Sequence, residues 1–185
     1  LGDVYKRQML GSGFTSAISF GSVHRIDVFL RDAINSGQIA GPRLLAGGRD
    51  ICAIGGNADT YPDHAKPQTE GLAMITDGPW EIRKAVRTLW KNGVDVVKVM
   101  IDGELISLQG RPGDLGYKDE EVEALVDEAH RKKMKVALHE KYKKELAVRL
   151  AIRQILTEGD ISDDHPHRST GINMLEDVLK KSIPT

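Results

Sequence analysis

Cysteine, aromatic residues and long apolar runs are scarce in this sequence of 185 residues, and each shortage excludes a class of protein. The single cysteine, Cys52, cannot form an intrachain disulfide, which favours a reducing, cytoplasmic compartment. Aromatic residues make up 5%, so a core must be built mainly from Val, Ile, Leu and Ala. No apolar run approaches the roughly 20 residues that span a bilayer, and no signal peptide opens the sequence. A net charge of −1 gives no general attraction to nucleic acid or to an anionic membrane, so neither is an expected partner.

The residues that are present have the composition of a folded domain, with 40% hydrophobic and 29% charged residues. Short apolar runs at 14–20, 43–46, 94–101 and 135–139 predict strands that are buried on both faces, as in parallel sheets. Between these runs, apolar residues recur with helical spacing. The helical sets are Val28, Leu30, Ala33 and Ile34; Ile82, Val86, Leu89 and Trp90 after Pro79; Val122, Leu125, Val126 and Ala129; and Leu146, Ala147, Leu150 and Ala151. This alternation predicts βα units on a parallel sheet.

The spacing of the βα units leaves two architectures, an open α/β sheet or part of a (β/α)₈ barrel. A closed barrel takes about 250 residues, so this sequence supplies only four or five units. The loops that follow strands, at 47–76 and 102–118, are much longer than the loops that precede strands. Long loops are usually functional, and sites form at the carboxyl ends of parallel strands. The loop lengths therefore favour the barrel.

The two ends of the sequence do not match a complete domain. Residues 1–8 do not continue into the pattern that follows, and they are interpreted as non-native or read-through sequence. Residues 9–185 are interpreted as an internal fragment of a longer domain, because a new buried strand begins where the sequence stops. Within this fragment, residues 155–172 lack strand character and are interpreted as divergent or corrupted.

Lys98 is the most unusual residue, because it lies inside the apolar run at 96–100. A lysine in a buried strand needs a partner, and burial disfavours its ammonium form and leaves a nucleophilic amine. Such an amine could form a Schiff base, act as a base, or react with carbon dioxide to give a carbamate that bridges two metal ions. The structural alternative is a strand-end lysine whose ammonium group reaches solvent.

His139 ends the strand at 135–139, where an imidazole is suited to bind zinc or to act as a general base, although a lone histidine there can also be structural. Because Lys98 and His139 end successive strands, their side chains should converge at one edge of the sheet. The other candidates are interpreted as loop, surface or core residues: His24, His64, His130, His165, His167 and Cys52.

Several segments occur in an order that is typical of one family: 9–16, 30–34 with Gly41-Pro42-Arg43, Gly55-Gly56, 96–100, 128–130 and 136–139. Over about residues 9–154 they resemble the metal-dependent amidohydrolase superfamily, in its imidazolonepropionase-like and prolidase-like (Xaa-Pro or Xaa-Arg) dipeptidase branch. The resemblance implies an α/β fold, a partial (β/α)₈ TIM barrel that comprises about strands two to six. It also implies a site with one or two zinc ions.

The resemblance also implies roles for individual residues. Lys98 corresponds to the lysine that ends strand four and, as a carbamate derived from carbon dioxide, bridges the metal ions. His139 corresponds to the metal-binding histidine of strand five. The family's HxH pair of strand one and aspartate of strand eight, the usual proton shuttle, lie outside this sequence, so no catalytic residue is expected in it.

Two departures from the family pattern concern the site. The family's Gly-Gly-His on the loop after strand three reads Gly55-Gly56-Asn57, so Asn57 becomes the candidate substrate-binding residue. Glu158 stands where the histidine of strand six belongs, and His165 or His167 could replace that histidine only after a shift of register.

The expected function of the intact protein is hydrolysis of a C–N bond in a small amide, cyclic amide or dipeptide by metal-activated water. Homo-oligomerisation is compatible with this function. The sequence alone is expected to be inactive, because a catalytic zinc normally takes three protein ligands and only two are expected. Two alternatives remain: an open-sheet α/β enzyme with Lys98 as a Schiff-base or general-base lysine, and a non-catalytic remnant or binding module.

Overall fold

Parallel strands alternate with helices along the chain. A computed structural model describes residues 8–65, 71–101 and 114–139, which lie in one unit, Leu1–His139. The strands are β1 (Ser16–Ser19), β2 (Arg43–Ala46), β3 (Asp50–Ala53), β4 (Ala73–Thr76), β5 (Val96–Met100) and β6 (Lys135–His139). The helices are α1 (Ile26–Asn35), α2 (Gly78–Lys91) and α3 (Asp119–Arg131), and Asp63–Ala65 forms a 3₁₀ turn.

Some predictions fall on residues outside this description. They are the proposed read-through segment up to residue 7, most of the loop at 102–118, the helix around 146–151, and residues 155–172 with Glu158, His165 and His167. In the described part of the chain, no helix is long and apolar enough to cross a membrane.

All strand pairs are parallel. β1 pairs with β2, and a second sheet has the order β4-β3-β5-β6. β2 and β3 run one after the other, with residues 47–49 between them. Along one edge of this segment, β1 pairs with β2 and β4 pairs with β3. The opposite edge of the segment faces β5. The Asp95 backbone N–H, which donates to the Ala46 carbonyl at 2.8 Å, joins that opposite edge to the start of β5.

The predicted loop at 47–76 is wrong in part, because it contains both β3 and β4. β3 has four residues, begins with a charged side chain and follows two glycines, so its sequence lacks the apolar run of a central strand. Pairing with β4 on one side and with β5 on the other makes it a strand. Tertiary contacts, which the local pattern does not encode, therefore decided this element.

The outer face of the larger sheet carries the core. Ile51, Val97 and Val99 are fully buried there. Helices α2 and α3 pack against each other, and against β4 and β6 respectively. On α2 and α3, all of the apolar residues predicted from helical spacing are buried except Trp90: Ile82, Val86, Leu89, Val122, Leu125, Val126 and Ala129. On α1, Val28 is buried, whereas Leu30, Ala33 and Ile34 are partly buried. Trp90 is 51% exposed, because it lies beside rather than on the apolar stripe, and its ring contacts the Lys132 ammonium at 4.4 Å.

The opposite face of β1 and β2 is open in the described structure. The sequence predicts burial of the run at 14–20 on both faces, yet Phe14, Ile18 and Phe20 are exposed, together with Leu45. Ile18 pairs in register with Leu45, so these two side chains lie on the same face of the sheet. We call this face of the sheets, which also carries Lys98, the inner face.

Candidate metal centre

Lys98 lies on β5 and is largely buried, with a side chain that is 18% exposed. Its ammonium Nζ is 3.2 Å from Oδ2 of Asp50 on the neighbouring strand β3. The same ammonium group lies 5.7 Å from the centre of the Phe20 ring, just after β1. The structure thus provides a carboxylate partner for a lysine whose ammonium would be costly to bury alone.

His139 is the last residue of β6 and lies on the same face of the sheet as Lys98. Lys98 pairs in register with Ala137, and Met100 pairs with His139. Since side chains alternate along a strand, Lys98 and His139 point to one side, two residues apart along the sheet. The predicted convergence of the two side chains agrees with this placement, but the prediction that Lys98 ends its strand is wrong, because Lys98 is the third of the five residues of β5.

Asp50 is a site residue that sequence reasoning missed. Its side chain is 3% exposed, and burial raises the pKa of its carboxyl group above the usual range. The Lys98 ammonium, the Gly21 backbone amide and the charge of His139 oppose this shift, because each of them favours the carboxylate anion. The only signal in the sequence was an acidic residue directly before the short apolar segment at 51–53.

The two oxygens of Asp50 have different surroundings. Oδ2 contacts Lys98, whereas Oδ1 is buried and has no hydrogen-bond partner among residues 8–65, 71–101 and 114–139. A buried carboxylate oxygen without a partner costs free energy, which a bound cation would offset.

The loop after β3 folds back over the end of that strand. The Gly56 N–H donates to the Ala53 carbonyl at 2.9 Å, and the Ala58 N–H contacts the Cys52 sulfur at 3.3 Å. A Cβ at Gly56 would lie 2.8 Å from this sulfur, so only glycine permits the close approach. Cys52 is therefore a core residue, which is one of the two placements predicted for it. Burial raises the pKa of its thiol.

Asn57, the candidate substrate-binding residue, lies inside this loop rather than on its surface. Only 2% of the residue is exposed, and its side-chain oxygen has no hydrogen-bond partner within the described ranges. A substrate contact by Asn57 would require the loop to open, so its role stays a prediction.

Three of the remaining candidate histidines belong to the described part of the chain. His24 and His64 are exposed, as predicted, and His130 on α3 is partly buried. No three His, Cys, Asp or Glu side chains in the described part of the chain are grouped so that they could hold a metal ion. The Asp50 carboxylate pairs with the Lys98 amine, and the His139 imidazole lies on the same face of the sheet, two residues further along the neighbouring strand. Carboxylate oxygen and imidazole nitrogen are ligands that zinc accepts, so this set fits a divalent cation.

Comparison with known proteins identifies the relatives of this chain. The family profile described as "Amidohydrolase family" matches residues 6–178. Ochratoxinase of Aspergillus niger is 31% identical over an alignment of 124 residues that covers 58% of this chain and 25% of the relative.

Solved structures give the same result for the fold. A Xaa-Pro dipeptidase with bound methionine in its active site superimposes with a TM-score of 0.69 at 32% identity, over 81% of this chain and 37% of that protein. A prolidase complexed with N-methylphosphonate-L-proline gives a TM-score of 0.68 at 27% identity, over 82% and 38%. The chain thus spans well under half the length of these relatives, which supports the predicted partial barrel.

Proposed function

This chain belongs to the amidohydrolase family, and from that premise we propose that the full-length protein is a metal-dependent hydrolase that cleaves a C–N bond. The substrate is a small amide, with a dipeptide as the first candidate and a cyclic amide as the second. Two relatives named as a Xaa-Pro dipeptidase and a prolidase support the dipeptide. The observation that carries the proposal is the placement of Lys98 and His139 on one face of adjacent parallel strands.

In this proposal, Lys98 is the carboxylated lysine. Its neutral amine attacks the carbon of carbon dioxide, and a C–N bond forms while an electron pair of one C=O bond moves to oxygen. One proton leaves the nitrogen for solvent, so the product is an –NH–COO⁻ group with two oxygen donors. The reaction replaces a cation with an anion, which is the charge that a divalent metal site requires.

His139 supplies a nitrogen donor beside this carbamate. When bound, a divalent cation such as zinc lowers the pKa of its water to about 7 and polarises an amide carbonyl. The Phe20 ring lies 5.7 Å from the Lys98 ammonium, and only 18% of the Lys98 side chain is exposed, so contact of Lys98 with water is limited. Other metal ligands and the residue that transfers the proton would come from outside the described residues.

The test of this proposal is the metal content of the full-length protein and of its Lys98→Ala variant. We expect the wild-type protein to hold up to two divalent ions per chain, and the variant to lose at least one, measured by plasma mass spectrometry. Lys135→Ala is the matched control, because Lys135 is exposed at the opposite end of β6. An unchanged metal stoichiometry in Lys98→Ala would refute the role of Lys98.

A further inference from the structure

Asp50 supplies a carboxylate that forms an ion pair with Lys98. Asp50 Oδ2 is 3.2 Å from the lysine Nζ, and the side chains are 3% and 18% exposed. The register explains this proximity, because β3 and β5 pair with Ile51 opposite Val99 and Cys52 opposite Met100. Asp50 is consequently level with Lys98 and on the same face of the sheet.

The charge balance of this pair changes when Lys98 is carboxylated. As an ammonium, Lys98 neutralises Asp50 within a largely buried site. As a carbamate, it becomes a second anion beside a carboxylate that has almost no access to water. Two adjacent buried anions are strongly unfavourable unless a cation lies between them or next to them.

The free oxygen of Asp50 indicates where such a cation would bind. Oδ1 is buried and lacks a hydrogen-bond partner in the described part of the chain. Met100 pairs in register with both Cys52 and His139, so the Asp50 carboxylate and the His139 imidazole lie on the same face of the sheet. Carboxylate, carbamate and imidazole together make three donors, the number that a catalytic zinc site normally takes from protein.

We propose that Asp50, the first residue of β3, is a metal ligand of this site and supplies a carboxylate oxygen in addition to the donors of Lys98 and His139. The inference rests on the proposed function, since it requires a cation beside the carboxylated Lys98. The ligand set that the family resemblance implied includes no residue of the strand before Gly55-Gly56, so Asp50 extends that set.

The sharpest test introduces a ligand with its own spectrum. In the full-length protein loaded with Co²⁺, Asp50→Cys should show a sulfur-to-cobalt charge-transfer band that the wild-type protein, which retains Cys52, does not show. Asp27→Cys is the matched control: Asp27 is equally buried, but it receives the Gly48 N–H at 2.7 Å on the α1 side of the sheet. Absence of the band in metal-loaded Asp50→Cys would overturn the assignment.

A second measurement uses the isosteric variant Asp50→Asn, which keeps the size of the side chain and removes its charge. We expect its affinity for Co²⁺ to fall at least about tenfold and its visible cobalt spectrum to change. Asp27→Asn should leave both unchanged. A wild-type affinity, or a lower affinity with an unaltered spectrum, would show that Asp50 does not bind the metal.

These outcomes separate the two proposals. If the wild-type protein binds Co²⁺ and Lys98→Ala impairs binding while neither Asp50 variant behaves as expected, only the ligand role of Asp50 fails. If the wild-type protein binds no divalent ion, both proposals fail.

Discussion

Glu128 shows how a single residue can join two helices. Its side chain on α3 is 3% exposed and receives two hydrogen bonds of 2.9 Å from Arg87 on α2, one to each oxygen. Arg83 lies 3.6 Å from the same carboxylate. The hydrogen bonds from Arg87 lower the pKa of Glu128, although burial opposes the shift. Because one guanidinium donates to both oxygens of one carboxylate, the contact fixes both the distance between the two helices and their relative orientation.

The depressed pKa of Glu128 predicts a pH-dependent contribution to stability. The contribution is present above the ordinary glutamate pKa of about 4.3 and is lost as pH falls through the lower pKa of the folded state. Glu128→Gln should therefore reduce the free energy of unfolding in urea at pH 7, and the difference from wild type should shrink below pH of about 4. Glu120→Gln, at an exposed position of α3, is the control. A difference that is constant with pH would contradict this account.

At the scale of the element, the bend between β2 and β3 depends on two glycines. A Cβ at Gly47 would overlap the backbone carbonyl oxygen of Ser19, so β1 can approach only a glycine there. Gly48 has φ of +61°, and a Cβ at this residue would lie 2.6 Å from a methyl group of Val94. These glycines let one chain segment pair first with β1 and then with β4, which places Asp50 level with Lys98.

Gly47→Ala should therefore destabilise the protein by about 1–3 kcal/mol, because backbone must move to relieve the overlap. The Gly71→Ala variant is the control, since no atom of residues 8–65, 71–101 and 114–139 lies within 4 Å of a Cβ at Gly71. Urea unfolding of both variants gives the comparison. Equal stabilities of the two variants would show that the β1–β2 contact adapts without cost.

At the scale of the whole molecule, the inner face of β1 and β2 is a row of exposed apolar side chains. Ile18 and Leu45, which are 51% and 42% exposed, pair there, and the Phe20 ring lies there near Lys98. In a closed βα barrel, the corresponding face is filled by layers of side chains from all eight strands. We expect this face to be covered in the full-length protein by strands from the rest of the barrel.

The 185-residue chain expressed alone should self-associate through this face, because a contiguous exposed apolar patch favours association. Light scattering after size exclusion should show a mass that rises with concentration, and Ile18→Lys should reduce this rise. Trp80→Lys is the control, because Trp80 is exposed on α2, away from the inner face. If Trp80→Lys reduced the association as strongly as Ile18→Lys, the contact would lie elsewhere.

The parts of the fold that local patterns encode were predicted well. β2 and β6 have the predicted bounds, and α2 begins one residue before Pro79, as expected for a proline in the first helical turn. β3 and β4 were missed, because four-residue strands with a charged or small first residue carry little periodic signal. Trp90 was placed wrongly, because one position along a helix turns a side chain by about 100°.

The sequence by itself determined the alternation of strands and helices and the family to which the chain belongs. It also determined that Lys98 and His139 lie on successive parallel strands, since each belongs to its own apolar run. Only the tertiary structure decided that Asp50 faces Lys98, because this pairing depends on the register between β3 and β5, which residues distant in the sequence set together. Periodicity is a local property, whereas register and burial arise from contacts between segments, and for this reason the third donor of the site became visible only in the fold.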